Sequence, residues 1–553
     1  MPWTIYRYIL RELLRVLLLA TGVLVVVVGF AAAIKPMSDG LLSATGLVKF
    51  VFYSMPTVLG LVLPFAAAFA STVVFVRLVA DNEILACRAS GMSYFSLLLP
   101  VIVVGAMLTL GIFYSSHFVV PRFYLLAQKQ IEKDLIGAIV KQVQRHQTIK
   151  MGKLIIYADA ADDTQKPVWP EGEVQPERML LLDGVAVGRL SGSEGKIARE
   201  GTAQRAEVFI FRFPDSNQTY VKMWLRNVVM YEEDAQHLIA VDRTEVPPFP
   251  IPNPFKDRLS FLGWHDLQRL SKRPENFDFV RERKESLVKA MATEQTLRFL
   301  ESALKNSTVT PLSLRASGIN ERFEIRASKI ERNGNQLRLI AQGDTPVRVD
   351  TFAGALPWRR YESKLTTLSV GFDEGSIEPR VSIELTDAMV FDARTTQRGT
   401  EQAHLTLPRG WWPKPIYAPL AKEESEALLK QARSNYADDQ VVSKQADLLE
   451  AGRLKLGRRI VAKVHERAAT AVSCVLVLTL GALISLYLRG KMTLVVYFWS
   501  FLLAILAVII VHGGENVMGD LSQSMMTGKI LLWSGNAILL AAIAYTYRRV
   551  SRN

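Results

Sequence analysis

Cysteine is nearly absent from this chain of 553 residues, which contains only Cys87 and Cys474. Neither lies in the long middle region, roughly residues 118–464, so that region can hold no internal disulfide in any compartment. The C-x-x-C spacing of thiol redox motifs is missing as well. The sequence therefore excludes a disulfide framework for the middle region.

The signatures of nucleotide binding and of common catalysis are also missing. No G-x-x-x-x-G-K-[ST] loop is present, because each Gly-Lys pair is followed by Leu, Ile or Met. His465-Glu466 has no second histidine at zincin spacing, and no G-x-S-x-G elbow occurs. Three of the seven histidines, His117, His465 and His512, lie near the ends of apolar runs, where capping or packing is commoner than metal binding. We expect neither catalytic residues nor metal ligands, and no cofactor in this chain.

Six apolar runs are long enough to cross a bilayer, which needs about 20 residues. They are Val16–Ile34, Phe50–Val76, a run within Tyr94–Val120, Ala468–Leu488, about Thr493–Val511, and Ile530–Tyr547. A cleaved signal peptide is the alternative for the first run, which has a basic start and ends in three alanines. Buried helices of a soluble protein are the alternative for the others, but uncharged runs of this length favour membrane spans.

The basic residues of the short loops predict the orientation. One side carries Arg7, Arg11, Arg15, Arg77, Arg88, Arg489, Lys491, Arg548, Arg549 and Arg552, and the other only Lys35, Lys49 and Lys529. The positive-inside rule places both termini and residues 81–93 in the cytoplasm. The large middle region is then periplasmic, and the membrane is the inner membrane of a bacterium with two membranes. The net charge of +13 is spread without a basic block, so nucleic acid is not an expected partner.

The residue patterns of the middle region predict β structure interrupted by helices. Strand patterns occur at 153–158, 206–213, 221–231, 323–330, 336–341, 347–352 and 381–391. An amphipathic helix is predicted over Glu275–Lys305, a proline-rich connector over Val246–Phe255, and mostly helix over Glu423–Val464. The predicted fold class is an α-helical membrane protein, with three spans on either side of a β-rich region of jelly-roll or sandwich type plus helices.

The predicted domain order follows from these patterns. It comprises spans 1–3 at 1–120, β unit 1 at 121–256, a helical connector at 257–305, β unit 2 at 306–416, a helical linker at 417–465, and spans 4–6 at 466–553. The two β units have a similar texture, without aligned repeat motifs.

The polar stretch Asp81–Ser93, DNEILACRASGMS, separates two apolar runs and predicts one short helix. Asp81 could cap its start and Gly91 its end. Ile84 and Leu85 give it a small apolar face, which is too little to stabilise an isolated helix. We expect it to dock on another cytoplasmic surface, and a surface helix without a partner is the alternative.

This stretch resembles the signature between the second and third spans of the LptF/LptG permease family, the membrane subunits of the lipopolysaccharide exporter. The matching positions are Glu83, Ile84, Leu85, Ala86, Arg88, Ala89, Gly91 and Ser93. In that family the segment is the coupling helix that fits a groove of the ATPase subunit, with the glutamate among its contacts. The resemblance therefore implies ATPase-coupling roles for Asp81, Glu83, Ile84, Leu85, Arg88, Gly91 and Ser93.

Other segments are similar to motifs of the same family. V-H-E-R-A-A-T-A gives His465 and Arg467, G-G-E-N-V-M gives Glu515, and W-S-G-N gives Trp533 and Asn536, with Gly535 where the family has proline. A-I-K-P-M-S-D resembles the position of a lipid-contacting lysine in one paralogue and gives Lys35. Snorkelling at a helix end is the alternative for Lys35.

The resemblance implies a transport subunit that moves lipopolysaccharide or a similar anionic glycolipid out of the inner membrane. Its expected partners are an LptB-like cytoplasmic ATPase that binds ATP and Mg²⁺, a second permease subunit and a periplasmic bridge component. The middle region exceeds one jelly roll, so we expect an enlarged or duplicated domain. Two other classes remain, a mechanotransmitting ABC-type permease and a structural envelope anchor with protein-binding β modules.

Overall fold

The computed structural model describes most of the chain. The described residues are 2–38, 44–124, 126, 148–151, 154–164, 176, 178–191, 196–213, 218–232, 237–250, 259–305, 311–316, 321–342, 345–353, 356–372, 378–392, 399–412 and 414–552. The chain divides into two compact units, one of Met1–Asn276 with Leu454–Asn553 and the other of Phe277–Arg453.

Six long helices and one short helix dominate the ends of the chain. They are α1 (Pro2–Ser38), α2 (Ala44–Ala80), the short α3 (Glu83–Ala89), α4 (Tyr94–Tyr114), α9 (Gln440–Tyr487), α10 (Thr493–Gly519) and α11 (Met525–Arg552). A π-helical turn, Ser115–Val119, continues α4. The six long helices are apolar and long enough to cross a membrane, at the positions of the six predicted runs.

Packing among these helices is uneven. The apolar stretch of α9 is 78% buried within the protein, whereas those of α1, α10 and α11 are each 28% buried. The core around α9 includes Leu13, Phe75, Leu97 and Leu478. Small residues bring helices close, because a Cβ at Gly481 would lie 2.2 Å from the Oγ of Ser71. α9 is thus the central helix, and the other three present apolar faces outward, as lipid-facing or partner-facing helices do.

The first sheet lies in the first unit and has seven antiparallel strands. They are β1 (Ile149–Met151), β2 (Leu154–Tyr157), β3 (Ala160–Thr164), β4 (Arg178–Ser191), β5 (Lys196–Phe213), β6 (Gln218–Glu232) and β7 (His237–Pro250). Their order is β1-β2-β4-β5-β6-β7, with β3 pairing β4 beyond the end of β2. Alternate residues such as Leu180, Leu182, Ala206 and Val208 face one core, as the period of two requires.

The first unit also contains a short connector after this sheet. It comprises a 3₁₀ turn, Leu259–Phe261, then α5 (Trp264–Lys272) and a second 3₁₀ turn, Pro274–Asn276. The Asp266 carboxylate accepts a hydrogen bond from the Gly263 N–H at 3.2 Å and so satisfies a donor at the start of α5.

The second sheet lies in the second unit. Its strands are β8 (Leu312–Ala316), β9 (Glu321–Arg326), β10 (Lys329–Asn333), β11 (Gln336–Ile340), β12 (Val347–Ala353), β13 (Leu356–Gly371), β14 (Arg380–Asp392) and β15 (Thr400–Trp411). The pairing path β13-β12-β9-β8-β15-β14 returns to β13, and every pair is antiparallel. The sheet therefore closes on itself, and a jelly-roll arrangement stays a prediction.

Helices complete the second unit, namely α6 (Asp278–Lys305), α7 (Tyr417–Ala421) and α8 (Ser425–Asn435). Leu297, Leu300 and Leu304 of α6 enter the core of the second sheet. Glu294 is buried beside them and pairs with Arg298 at 2.8 Å and also with Arg332 on β10. A buried carboxylate needs such partners, so this contact fixes α6 against the β10–β11 hairpin.

Most predicted elements agree with the structure, with four differences. The single strand predicted over 323–330 is two strands, β9 ending at Arg326 and β10 beginning at Lys329. The predicted helix 275–305 begins at Asp278, after the 3₁₀ turn. The connector expected from Val246 begins later, because β7 continues to Pro250; residues 251–255 lie outside the described part of the chain, as does Lys153 of the first predicted strand. Several strands, among them β4, β13 and β15, were not predicted, because charged residues interrupt their apolar pattern. The predicted domain boundaries stay a prediction.

Candidate functional site

The segment 81–93 folds into α3, two turns long, between the ends of α2 and α4. The expectation that Asp81 caps this helix is wrong. The N-cap is Asn82, at φ +57°, and its side chain makes no capping hydrogen bond. Only two residues separate α2 from α3, and asparagine is among the few residues that tolerate this left-handed conformation.

Gly91 ends α3. Its φ is +86°, a conformation that favours glycine, and its N–H donates to the Arg88 carbonyl at 3.0 Å. The Met92 N–H donates to the Cys87 carbonyl at 3.1 Å, which completes a Schellman motif. Ser93 has a different local role, because its Oγ accepts from the Ser96 N–H at 3.1 Å and caps α4.

The two apolar residues of α3 are used differently. The side chain of Ile84 is only 4% exposed and packs in the core with residues such as Ile9 and Leu78. Leu85 is 60% exposed. The helix is therefore stabilised by its own chain through Ile84, which compensates for its short length. Leu85 is the part of the apolar face that remains open to a partner.

A polar network from α1 holds Glu83. The Tyr8 hydroxyl donates to Glu83 Oε1 at 3.1 Å, and Arg77 donates to the Tyr8 hydroxyl at 3.4 Å. Arg77 also pairs with Glu12 at 3.2 Å. Sequence reasoning did not find Tyr8 or Glu12. Their spacing of four residues on one face of α1 is a local signal, but it does not reveal which distant segment they contact.

Arg88 is exposed and packs against Tyr94. Its guanidinium lies 4.3 Å from the centre of the Tyr94 ring, and its Nη1 donates to the Met92 carbonyl at 3.0 Å. On the same ring, Arg489 lies 5.8 Å from the centre and also donates to the Tyr94 hydroxyl. Tyr94 thereby links α3 to the loop between α9 and α10, through cation–π contacts that each stabilise modestly.

Cys87 lies on the same helix and is half-buried. Burial raises the pKa of its thiol, and the negative charge of Glu83 raises that pKa further. The thiol is therefore largely protonated at neutral pH and a poor nucleophile, which is the state of a structural cysteine.

A charged cluster joins the middle of α9 to the last turns of α10, and it consists of Lys463, Glu466, His512 and Glu515. The Lys463 ammonium bonds Glu466 and Glu515, each at 3.1 Å, and His512 Nδ1 lies 3.5 Å from Glu515. The donor atoms of Glu466, His512 and Glu515 lie within 4.8 Å of one another, as cation ligands do. The Lys463 ammonium bonds both carboxylates, so a divalent cation would have to compete with it for the same oxygens.

Arg467 lies beside this cluster and is 5% exposed. Its Nη2 donates to three carbonyls of the 3₁₀ turn after the first sheet, those of Leu259 at 3.2 Å, Ser260 at 3.0 Å and Leu262 at 2.8 Å. These carbonyls end a helical turn and need donors. Arg467 therefore fixes the connector to α9 at the point where the apolar stretch of α9 begins.

The structure brings the remaining motif residues together on α9 and α11. The His465 and Trp533 rings meet edge to face at 6.5 Å. Asn536 donates to the Ala469 carbonyl at 3.0 Å and accepts from the Ser473 hydroxyl at 2.6 Å. Gly535 packs so closely that a Cβ there would lie 2.9 Å from the Ala507 carbonyl. These positions serve close helix packing in this structure.

Lys35 cannot be placed beside α3 or beside the charged cluster of Lys463. Its backbone belongs to α1, but its side chain lies outside the described part of the chain. Its assignment as a lipid-binding residue therefore stays a prediction.

Six apolar helices in the described part of the chain, with a β-rich insertion between the third and the fourth, define a multi-pass membrane protein. Residues 7–253 match the family described as lipopolysaccharide export system permease LptF/LptG. Over these residues, which include α1–α4 and the first sheet, the chain is similar to the LptF/LptG permease family. The match ends before the second sheet and α9–α11. A search of curated proteins gave no match.

Proposed function

We propose that this protein is the membrane permease subunit of an ABC transporter that moves lipopolysaccharide or a similar anionic glycolipid. It would extract the lipid from the outer leaflet of the inner membrane and pass it to a β domain for export. The single observation that carries the proposal is α3, a fixed helix between two spans inside the region that matches the permease family. The ATP and Mg²⁺ belong to a separate ATPase subunit in this proposal.

The geometry of α3 supports a coupling role. Leu85 is exposed while Ile84 anchors the helix, so the helix can present a surface without unfolding. Glu83 is held by Tyr8, which presets the orientation of its carboxylate for a partner. A force applied to α3 would pass to α2 and α4, which meet it directly. In this proposal Asp81, Arg88, Gly91 and Ser93 shape or flank the docked helix.

The proposed assembly is the one that the resemblance to the permease family implies. Two permease subunits, identical or paralogous, would enclose a lipid cavity, and the outward apolar faces of α1, α10 and α11 are suited to lipid or to a second subunit. Both termini are then cytoplasmic and the β-rich region periplasmic, where a bridge component would receive the lipid. Lys35 would contact an anionic headgroup, since an ammonium–phosphate contact is strong when desolvated.

The test is a pull-down of the tagged full-length protein from gently solubilised membranes, with bound proteins identified by mass spectrometry. We expect a stoichiometric ABC ATPase with the wild type and its loss with Glu83→Arg. Glu423→Arg is the matched control, because it reverses the charge of an exposed glutamate in the second unit. Both variants should retain the unfolding midpoint of the wild type.

Two outcomes would contradict the proposal. Absence of an ATPase, under conditions that preserve known ABC complexes, would favour an envelope anchor. Capture of an ATPase without any organic-solvent-extractable glycolipid would favour a mechanotransmitting permease.

A further inference from the structure

A cleft of about 530 Å³ opens between α3 and the loop that joins α9 to α10. Val76 and Val79 of α2 and Leu488 at the end of α9 form its apolar wall. Arg489 and Lys491 line it from the loop, and both are exposed. The cleft thus combines an apolar wall with two cations.

The two cations of this cleft lack a paired carboxylate among the described residues. None of the described residues that line it is acidic. Among the described residues, no carboxylate forms an ion pair with Arg489 or Lys491, in contrast to Lys463 in the charged cluster. Two cations at one cleft attract an anion, most strongly where solvent is partly excluded.

The backbone of the loop adds donors at the same place. Gly490 has a φ of +75°, which lets the chain reverse between the two cations. α10 begins immediately afterwards at Thr493, and its N-cap Met492 provides no side-chain acceptor. The first N–H groups of a long helix need acceptors, and its dipole favours an anion there. The helix start and the two cations therefore reinforce each other.

The position of the cleft indicates which anion fits. It lies where α2 and α9 end and α10 begins, so it is at the boundary of the predicted bilayer. The apolar wall continues along α2 and α9 into the membrane region, and basic pockets at such helix ends suit anionic headgroups. A free phosphate would use the cations but not the apolar wall, whereas a lipid uses both.

We propose that this cleft binds the phosphate headgroup of an anionic phospholipid from the leaflet on the α3 side. Arg489, Lys491 and the start of α10 contact the phosphate, and an acyl chain lies along Val76 and Val79. Arg489 also contacts Tyr94, and Arg88 of α3 packs on the same ring. The bound phosphate would therefore contact a residue that is linked to α3 through Tyr94. The proposal requires that the helices cross a membrane, and it does not depend on the exported lipid. Leu85 also lines the cleft, so the lipid would lie beside the surface that the proposed function gives to the ATPase.

The experiment is native mass spectrometry of the full-length protein in detergent, titrated with dioleoyl phosphatidylglycerol or dioleoyl phosphatidylcholine. We expect Arg489→Gln with Lys491→Gln to weaken phosphatidylglycerol binding about tenfold or more, because each basic residue near an anionic lipid surface contributes about 1 kcal/mol. Phosphatidylcholine binding should not change. The matched control is Arg7→Gln with Arg11→Gln, which removes the same charge from exposed positions of α1.

A second variant tests the apolar wall. Val79→Trp fills the cleft without changing charge, and it should reduce the occupancy of phosphatidylglycerol while the unfolding midpoint stays near that of the wild type.

Three results would overturn the proposal. Equal weakening by both double variants would mean a diffuse attraction to all basic surfaces. Displacement of the lipid by inorganic phosphate at the same concentration would mean a site for a free anion. Unchanged lipid binding, together with cross-linking of Lys491 to a cytoplasmic protein, would mean a protein-docking surface.

Discussion

The apolar stretches of α9 and α10 have charged residues at both of their ends, and the charges at the two ends are partnered differently. At one end, Lys463 is 8% exposed and bonds two carboxylates. At the other end, Arg489 and Lys491 are exposed beside a cleft that has no acidic residue among those of the described part of the chain that line it. A buried charge is stable only when it is paired, and at the first end the partners of Lys463 come from the chain itself. The second end has charge left for something outside the chain.

The packing around the glycines at the two ends differs in the same way. Gly514, beside the buried cluster, packs against the backbone of Leu532, whereas Gly490 at the exposed end has open space around it. The helices pack closely at the first end, whereas the second end has a short loop and a cleft. We infer that substitutions at the first end alter the stability of the protein, and that those at the second end alter binding.

The largest expected effect comes from Lys463→Met. It leaves the buried Glu466 and the half-buried Glu515 without the ammonium that bonds them, and breaking a buried pair destabilises by about 3–5 kcal/mol. The measurement is the midpoint of unfolding of the detergent-solubilised protein in increasing SDS. Lys455→Met is the control on an exposed turn of α9, and its effect should stay within about 0.5 kcal/mol.

A triple variant checks the cause. Replacing Glu466 and Glu515 with glutamine in the Lys463→Met background removes the uncompensated charges and should recover part of the lost stability. Equal stability of Lys463→Met and Lys455→Met would show that the cluster is not an essential ion-pair network.

A smaller loss of stability is expected for Gly514→Ala. The added Cβ would lie 2.4 Å from the backbone of Leu532, so α10 and α11 must separate, and overpacking of this kind costs about 1–3 kcal/mol. The neighbouring Gly513 has nothing within 4 Å of its Cβ position. Gly513→Ala should therefore be neutral or slightly stabilising in the same SDS titration. If both variants behaved alike, the close contact between α10 and α11 would be wrong.

The smallest effect is expected at the exposed end, in the chemistry of Cys87. A membrane-impermeant maleimide should label Cys87 from the cytoplasmic face only, and Cys474 should react only after denaturation, since it is fully buried. The pKa of Cys87 is raised, so its labelling rate should climb about tenfold for each pH unit below that pKa. Glu83→Gln removes a negative charge that raises this pKa, and it should accelerate labelling at a given pH.

Measured initial rates in spheroplasts and in inverted vesicles distinguish the outcomes. Labelling from the periplasmic face would reverse the proposed orientation. An equal labelling rate in the wild type and in Glu83→Gln would show that the Glu83 carboxylate does not affect the pKa of the Cys87 thiol.

Local signals predicted several features correctly, and their limits are physical. The apolar runs located all six long helices, because length and hydropathy are properties of a segment alone. An amphipathic helix is predicted over Glu275–Lys305, and its apolar residues Leu287, Met291 and Leu300 are buried. The cap expected at Asp81 was wrong by one residue, because the short link from α2 places Asn82 at the helix start. The family resemblance at 81–93 agrees with the match over residues 7–253.

By itself the sequence determined the number and place of the apolar helices, the absence of a Walker loop, and a β-rich middle. These depend on composition and on spacing along one segment. Only the tertiary structure decided that Tyr8 holds Glu83, that Lys463 joins Glu466 to Glu515, and that Arg467 fixes the turn after the first sheet. Such contacts join residues that are tens to hundreds of positions apart, and their strength depends on burial and geometry that no local pattern contains.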